Sequence, residues 1–483
     1  MNIRLILKVV SVLLMIVSGA QSPSILWALY YHENNMIPAF LIPEISTILL
    51  ALLMFLSCRN LKSKSLSAKD GFFTVASIWF CATAVGAIPF YISGAIPSYT
   101  DAFFETMSGF TTTGASILTD IESLPKSLLF WRNMTHYLGG LGIIVLAVAV
   151  FPLLGIGSMR MIKAETTGPT VQKIMPKITG TAKILWLIYM SLTICETICL
   201  LLCKLSLFDA LTTTMSTVAT GGFSVRNASI AAYASPCVEI VVTVFMFLSG
   251  INFVLYFSLA MRNFGIIRRN TELKVYTAIF IISTLMMTAS LFRQNIYPFL
   301  TALRYASFQS IAIMTTTGFY SANYIPWPAF TNLILLLLMF CGGCSGSTSG
   351  NIKVIRHVVI WKHSFIQLKK MMRPNAVYSI KKDGGLIGKD LVPNIYGFFT
   401  LYFILLVITA MFVSTGGHDL VTCISTAIST VGNVGPGFGG IGPVNSFGFF
   451  QGYIKWFLCF IMLTGRLELY TIMILFTPTF WKR

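Results

Sequence analysis

The chain has 483 residues, 55% of them hydrophobic and only 10% charged, with a formal net charge of +18. A soluble domain carries roughly 25% charged residues, so too little polar surface is left here to face water on all sides, and the chain reads as an integral membrane protein. The basic excess does not mark a nucleic-acid binder, because the lysines and arginines gather in short clusters between apolar segments.

A bilayer core takes about 20 apolar residues per helix. In chain order, such segments fall at residues 5–17, 39–56, 72–93, 128–156, 184–203, 238–261, 275–292, 333–360 with an interruption, 398–413 and 454–475. Arg4, Lys8, the apolar run and Ser18-Gly19-Ala20 resemble a cleaved secretory signal; the other reading is a retained first helix. Basic clusters follow at Arg59, Lys62, Lys64 and Lys69, at Arg160, Lys163, Lys173, Lys177 and Lys183, and at Arg262, Arg268, Arg269 and Lys274. A fourth cluster runs from Lys353 and Arg356 through Lys369, Lys370, Lys381 and Lys382 to Lys389, and Lys482 and Arg483 close the chain. By the positive-inside rule these stretches are cytoplasmic and the intervening loops face outward. The ten cysteines suggest no disulfide framework: Cys195, Cys199 and Cys203 share helical spacing within one apolar segment, where thiols usually just pack.

The outward loops carry a repeated pattern. Asp101-Ala102 leads to Thr106-Met107-Ser108, Thr112 and Gly114; Asp209-Ala210 leads to Thr214-Met215-Ser216, Thr220 and Gly222, at the same spacing. A third copy ends in Thr315-Thr316-Thr317-Gly318, and a degenerate fourth in Asn433-Val434-Gly435. Asp101 and Asp209 suit helix N-termini, where a carboxylate caps free amides and opposes the dipole. Each short helix would point its negative end into the membrane, and the Thr-Thr-Thr-Gly run would return as irregular backbone. Such backbone is tolerated at that depth only when buried in protein or lining a water-filled cavity, and its carbonyls can replace the hydration shell of a cation. The filter residues expected on this basis are Thr111, Thr112, Thr113 and Gly114; Thr220, Gly221 and Gly222; Thr315, Thr316, Thr317 and Gly318; and Asn433, Val434 and Gly435. The double glycine at 221 and 222 leaves a one-residue ambiguity that the spacing from Asp209 resolves towards Gly222.

These residues resemble the TrkH/TrkG-type membrane subunits of the bacterial Trk potassium uptake system, a superfamily shared with Ktr subunits and plant high-affinity potassium transporters. The resemblance covers essentially the whole chain. It includes the filter motifs, Gly139-Gly140-Leu141-Gly142, Gly342-Gly343-Cys344 to Thr348, Pro374-Asn375-Ala376-Val377-Tyr378-Ser379, Gly465-Arg466-Leu467-Glu468 and Thr477-Pro478-Thr479-Phe480-Trp481. It implies an all-α polytopic protein with four fused helix–pore loop–helix repeats around a pseudo-fourfold pore, preceded by two N-terminal helices. The expected divisions are 1–69 for those helices, then 70–180, 181–273, 274–390 and 391–483 for the repeats. It further implies a homodimer in the bacterial inner membrane and a cytosolic nucleotide-binding ring of the TrkA type. A serine at the first filter glycine accompanies sodium transport in plant relatives; all four positions here are glycine, so potassium selectivity is expected.

The interruption in the eighth segment comprises Gly342, Gly343, Cys344, Ser345, Gly346, Ser347, Thr348, Ser349 and Gly350. Broken segments commonly mark a transport path, and the resemblance implies a gating loop there; a kink for close helix packing is the blander reading. Ser349 and Asn351 depart from the family's glycine-richer pattern and are expected to stiffen the loop. Cys341 and Cys344 could also form a redox or metal pair, with no histidine nearby to support it. Arg466 and Glu468 lie inside the last span, where charge is costly. Arg466 is the candidate fixed charge beside the gate, a helix-packing salt bridge being the other reading, and the two charges should face the pore or each other. Glu196 is expected to pair with Lys204, and Arg132 and His136 read as interfacial anchors. Residues 376–387 suggest a cytosolic hairpin turning at Asp383-Gly384. The potassium ion is the only bound species expected, with no organic cofactor. The chain shows neither a nucleotide fold nor the convergent His, Asp and Glu cluster of an enzyme. A secondary transporter of another cation or small solute remains the alternative, and channel-like flow and proton- or sodium-coupled transport both fit the motifs.

Overall fold

A computed structural model describes residues 2–58, 67–142, 178–376, 378–383, 385–386 and 391–482. The expected span over 143–156, the basic residues Arg59, Lys62, Lys64, Arg160, Lys163, Lys173, Lys177, Lys389 and Arg483, and Val377, Gly384 and Ile387 lie outside the described residues. The described architecture is helical. Its one sheet among those residues is the antiparallel pair Lys381–Lys382 and Gly385–Leu386, with Lys381 opposite Leu386 and Asp383 in the turn at φ +51°.

The N-terminal segment is a packed helix, Ile3–Gly19, continued by Ser22–Tyr30. Val9, Leu13 and Val17 recur at helical spacing and are all buried against Ile37–Ser57 and Ala68–Gly86. Helix Ile37–Ser57 buries Phe40, Pro43, Thr47 and Ala51 on one stripe and exposes Leu41, Ile45, Leu49, Leu52 and Leu56 on the rest. A mostly apolar exposed face is what a lipid-facing helix requires.

Four units follow. The outer helices are Ala68–Gly86, Ile178–Leu202, Thr271–Arg293 and Leu391–Ser414. Each leads to a pore helix: Tyr99–Phe110, Leu207–Val218, Phe299–Met314 and Leu420–Gly432. These have 12, 12, 16 and 13 residues, so at about 1.5 Å per residue they fall short of a bilayer crossing. The inner helices begin at Lys126, Pro236, Ala329 and Gly452. Six helices among the described residues are long and apolar enough to span a membrane, or up to eight if two bent pairs each count as one span.

Several expectations need correction. Asp101 and Asp209 are not the caps: Ser98 and Ser206 are, accepting the Asp101 and Asp209 amides at 3.5 and 3.0 Å. The aspartates occupy the first turn, where they oppose the helix dipole; in the fourth copy Asp419 itself caps the Thr422 amide at 3.0 Å. The segments over 238–261 and 454–475 are not straight spans. Pro236–Ser249 and Phe253–Ala260 meet at 92°, and Gly452–Arg466 and Leu469–Phe476 at 120°. Asn252 starts the second half of the first pair by accepting the Val254 amide, and Glu468 turns the second at φ +57°. A disulfide joins Cys203 and Cys237, with Cα atoms 5.8 Å apart. Cys203 lies one residue beyond Leu202, where the helix ends, so it meets Cys237 at the start of the next inner helix. Glu196 does not pair with Lys204: its carboxylate is buried facing Thr217 of the second pore helix, while exposed Lys204 sits past the helix end at φ +67°.

Candidate ion pathway

Each pore helix ends in the same backbone figure. Thr112, Thr220, Thr316 and Asn433 take left-handed φ values of 52°, 54°, 60° and 54°. The next amide, of Thr113, Gly221, Thr317 or Val434, returns to the pore-helix carbonyl five residues back, Ser108, Ser216, Ala312 or Ser429, at 2.8–2.9 Å. The following residue is Gly114, Gly222, Gly318 or Gly435, with φ +78°, +82°, +77° and +95°. The fourth copy therefore keeps the register of the others, with asparagine, which tolerates the left-handed region, in place of threonine. Gly222, not Gly221, occupies the equivalent glycine position.

The four loops close a cycle. A Cβ on Gly114 would collide with the Gly221 carbonyl, on Gly222 with that of Thr317, on Gly318 with that of Val434, and on Gly435 it would sit 2.6 Å from that of Thr113. Each glycine thus abuts the carbonyl preceding the glycine of the next loop, and the fourth returns to the first. All four glycines line one cavity of about 440 Å³ among the outward loops. Among the described residues no group of three His, Cys, Asp or Glu side chains is placed to hold a metal ion. The loops instead present main-chain carbonyls and threonine hydroxyls, oxygen donors suited to a hard cation.

The ring is braced from behind. Asn433 Nδ2 donates to Thr113 Oγ1 and to the Met462 carbonyl, both at 2.9 Å, tying the fourth loop to the first. Arg132 and His136 are not interfacial anchors. Arg132 is buried in an ion pair with Glu105 at 2.7 Å, and its Nη1 donates to the Ser224 carbonyl at 2.9 Å. His136 stacks on Phe223 with ring centroids 3.9 Å apart and packs against Gly221. The inner helix that carries both residues lies along the first two loops, which turns these polar groups inward. One signal was present in the sequence: Glu105 belongs to the first pore helix, and a carboxylate at that depth demands a cation.

Residues 341–353 form a non-helical loop against the inner side of the ring. Gly342, Gly343, Cys344, Ser345, Ser347, Thr348, Ser349 and Gly350 are buried, and Gly346 is exposed at φ +76°. The Gly350 amide donates to Thr316 Oγ1 at 2.8 Å in the third loop. Thr348 Oγ1 donates to the carbonyl of Val218, the last residue of the second pore helix, at 3.0 Å. Gly350 also packs against Gly432 and Asn433 of the fourth. Arg466 donates to the carbonyls of Thr348 at 2.8 Å, Gly139 at 2.6 Å and Gly140 at 3.0 Å. The loop therefore touches three repeats, and Arg466 links it to the first. Ser349 and Asn351 do tie it down: Ser349 Oγ accepts the Gly343 amide at 2.9 Å, and Asn351 Oδ1 accepts from Tyr402 at 3.1 Å. Glu468 pairs with Arg356 rather than with Arg466. No disulfide joins Cys341 to Cys344.

Residues 37–483 match the family model described as TrkH, cation transport protein. The Trk system potassium uptake protein TrkH of Salmonella typhimurium is 37% identical over 487 residues, covering all of both chains. The Trk system potassium uptake protein TrkG of Escherichia coli is 31% identical, covering 100% of this chain and 99% of its own. The crystal structure of the potassium transporter TrkH from Vibrio parahaemolyticus matches with a TM-score of 0.88 at 35% identity, over 100% of each chain. With a ring of four like loops and similarity of this extent along its whole length, the chain belongs to the TrkH family of cation transport proteins.

Proposed function

We propose that this protein carries potassium inward across the inner membrane of a bacterium, through the pore bounded by its four glycine loops. The observation that carries the reading is the closed cycle in which each filter glycine abuts a main-chain carbonyl of the next loop, since a ring of such carbonyls can replace the water of a monovalent cation. The four pore helices direct the negative ends of their dipoles toward the same place, which favours a cation. Thr111 to Gly114, Thr220 to Gly222, Thr315 to Gly318 and Asn433 to Gly435 are the proposed filter. Potassium is the cargo; the reading requires no organic cofactor and no enzymatic step.

In the same reading Gly342 to Gly350 is the gate, and Arg466 holds it closed while placing a fixed positive charge beside the path. The relatives are named as parts of a Trk system, and the partner proposed is a cytosolic nucleotide-binding ring of the TrkA type. Its docking face would include the cytoplasmic end of helix Val354–Met372, with Lys362, Lys369 and Lys370, and the short hairpin after it. The assembly proposed is a homodimer with one pore per subunit, surrounded by lipid, with the N-terminal helices in residues 1–69 and the repeats at 70–180, 181–273, 274–390 and 391–483. Rubidium uptake in a bacterium lacking its own potassium uptake systems tests the function. The chain should restore uptake; its failure to do so while present in the membrane would contradict the proposal.

A further inference from the structure

We infer that the buried Glu105–Arg132 pair is a specificity-determining clamp, which fixes the first two filter loops against each other and so sets the pore's preference for potassium over sodium. The inference deepens the pore reading above and rests on it. Glu105 leaves the first pore helix and reaches the strand that exits the first loop: its Oε1 accepts from Ser116 Oγ and its Oε2 from the Ile117 amide, both at 2.8 Å. The Arg132 guanidinium completes the span, with Nε on Glu105 at 2.7 Å and Nη1 on the Ser224 carbonyl at 2.9 Å. Ser116 and Ser224 each stand two residues past their filter glycines, so the pair grips equivalent points of two neighbouring strands. Phe223, next to Gly222, lies face-on to the guanidinium, 3.5 Å from its ring centroid.

The clamp is specific to one side of the ring. The corresponding point past the fourth glycine, the Gly437 carbonyl, accepts a neutral bond from Tyr324 at 2.9 Å. The fourth and first loops are joined by the Asn433 amide. Both charges of the pair are almost completely buried, with side-chain exposures of 2% and 1%. Burying such a pair brings little stability over apolar packing. What it supplies is geometry, because a planar fork of donors can hold a carboxylate and a carbonyl at once, in fixed directions. Selectivity in a carbonyl filter depends on cavity size and on the number and field of the oxygens, and both follow from how the loops are held. Arg132 also lines the cavity in front of the four glycines, where Glu105 cancels a charge that would repel incoming cations.

Rubidium uptake by membrane vesicles holding the full chain, measured against sodium as competitor, tests this. Arg132→Lys keeps a charge opposite Glu105 but cannot hold Ser224 as well. The preference for rubidium over sodium should fall by about tenfold, roughly the effect of one lost oriented interaction. Lys69→Arg, at the exposed start of helix Ala68–Gly86, should leave the ratio at the wild-type value. If Arg132→Lys keeps the wild-type ratio, even with lower protein level or slower uptake, the pair is only structural and the inference fails. Should that variant not reach the membrane, Phe223→Leu decides by the same ratio, since it removes the stacking surface and leaves both charges. A lower ratio supports the clamp and an unchanged one overturns it. Wild-type vesicles that take up no rubidium would defeat the pore reading itself, a result distinct from either.

Discussion

Gly114 shows how narrow the permitted chemistry is at single residues. Its φ of +78° disfavours any side chain, and a Cβ would strike the Gly221 carbonyl of the next loop. Gly114→Ser should therefore displace an oxygen of the ring, and its rubidium-over-sodium preference should drop by about tenfold or more; an unchanged ratio in a sodium-competition assay would count against this residue's place in the filter. The glycine was legible because its motif recurs in register. Asn433 was harder, since only the backbone figure shows that it does the work of a threonine. Arg132 and His136 were misread because a polar residue near the start of an apolar segment looks the same whether it faces the interface or the protein. Cys203 was hidden by its helical spacing from Cys195 and Cys199, which gave no hint that the helix stops at Leu202. Mass spectrometry of unreduced protein should find the peptides of Cys203 and Cys237 joined, and Cys203→Ser should lower stability by about 2–4 kcal/mol, read as an earlier thermal unfolding.

Among the elements, the loop over 341–353 is held by a small number of directional bonds rather than by an apolar core. Arg466 donates to three carbonyls across two repeats. Arg466→Ala should free the loop and raise rubidium uptake in vesicles lacking any cytosolic partner several-fold, at about 1.5–3 kcal/mol for each charge-assisted bond lost; a flux no higher than wild type would favour a purely packing role. Thr316→Val removes the acceptor of the Gly350 amide and should act in the same direction, whereas Thr316→Ser, which keeps the hydroxyl, should not. The interruption itself was legible, because no helix tolerates so dense a run of glycine and serine. The bends in the second and fourth inner helices were not: Gly250 and Asn252 in the first case, and a left-handed Glu468 in the second, leave an apolar profile that still reads as one span.

For the whole molecule, the four motif copies and the apolar spans were legible in recurrence and hydropathy, while their arrangement as fused repeats preceded by two helices came from the family resemblance. The order of the loops around the ring did not, because nothing in a linear sequence says which glycine meets which carbonyl. That order is cyclic, and it makes the pore a shared product of four segments, of which the first and last, joined at Thr113 and Asn433, lie 320 residues apart in the chain. A buried ion pair on one side, an amide bridge on another and the loop over 341–353 beneath it give this ring unequal sides, so substitutions at equivalent loop positions should differ in effect. The most direct test of the central claim is anomalous diffraction from crystals of the protein grown in rubidium. The account predicts a peak on the axis enclosed by Gly114, Gly222, Gly318 and Gly435; an ordered ring with no ion inside it, and rubidium bound elsewhere, would contradict it.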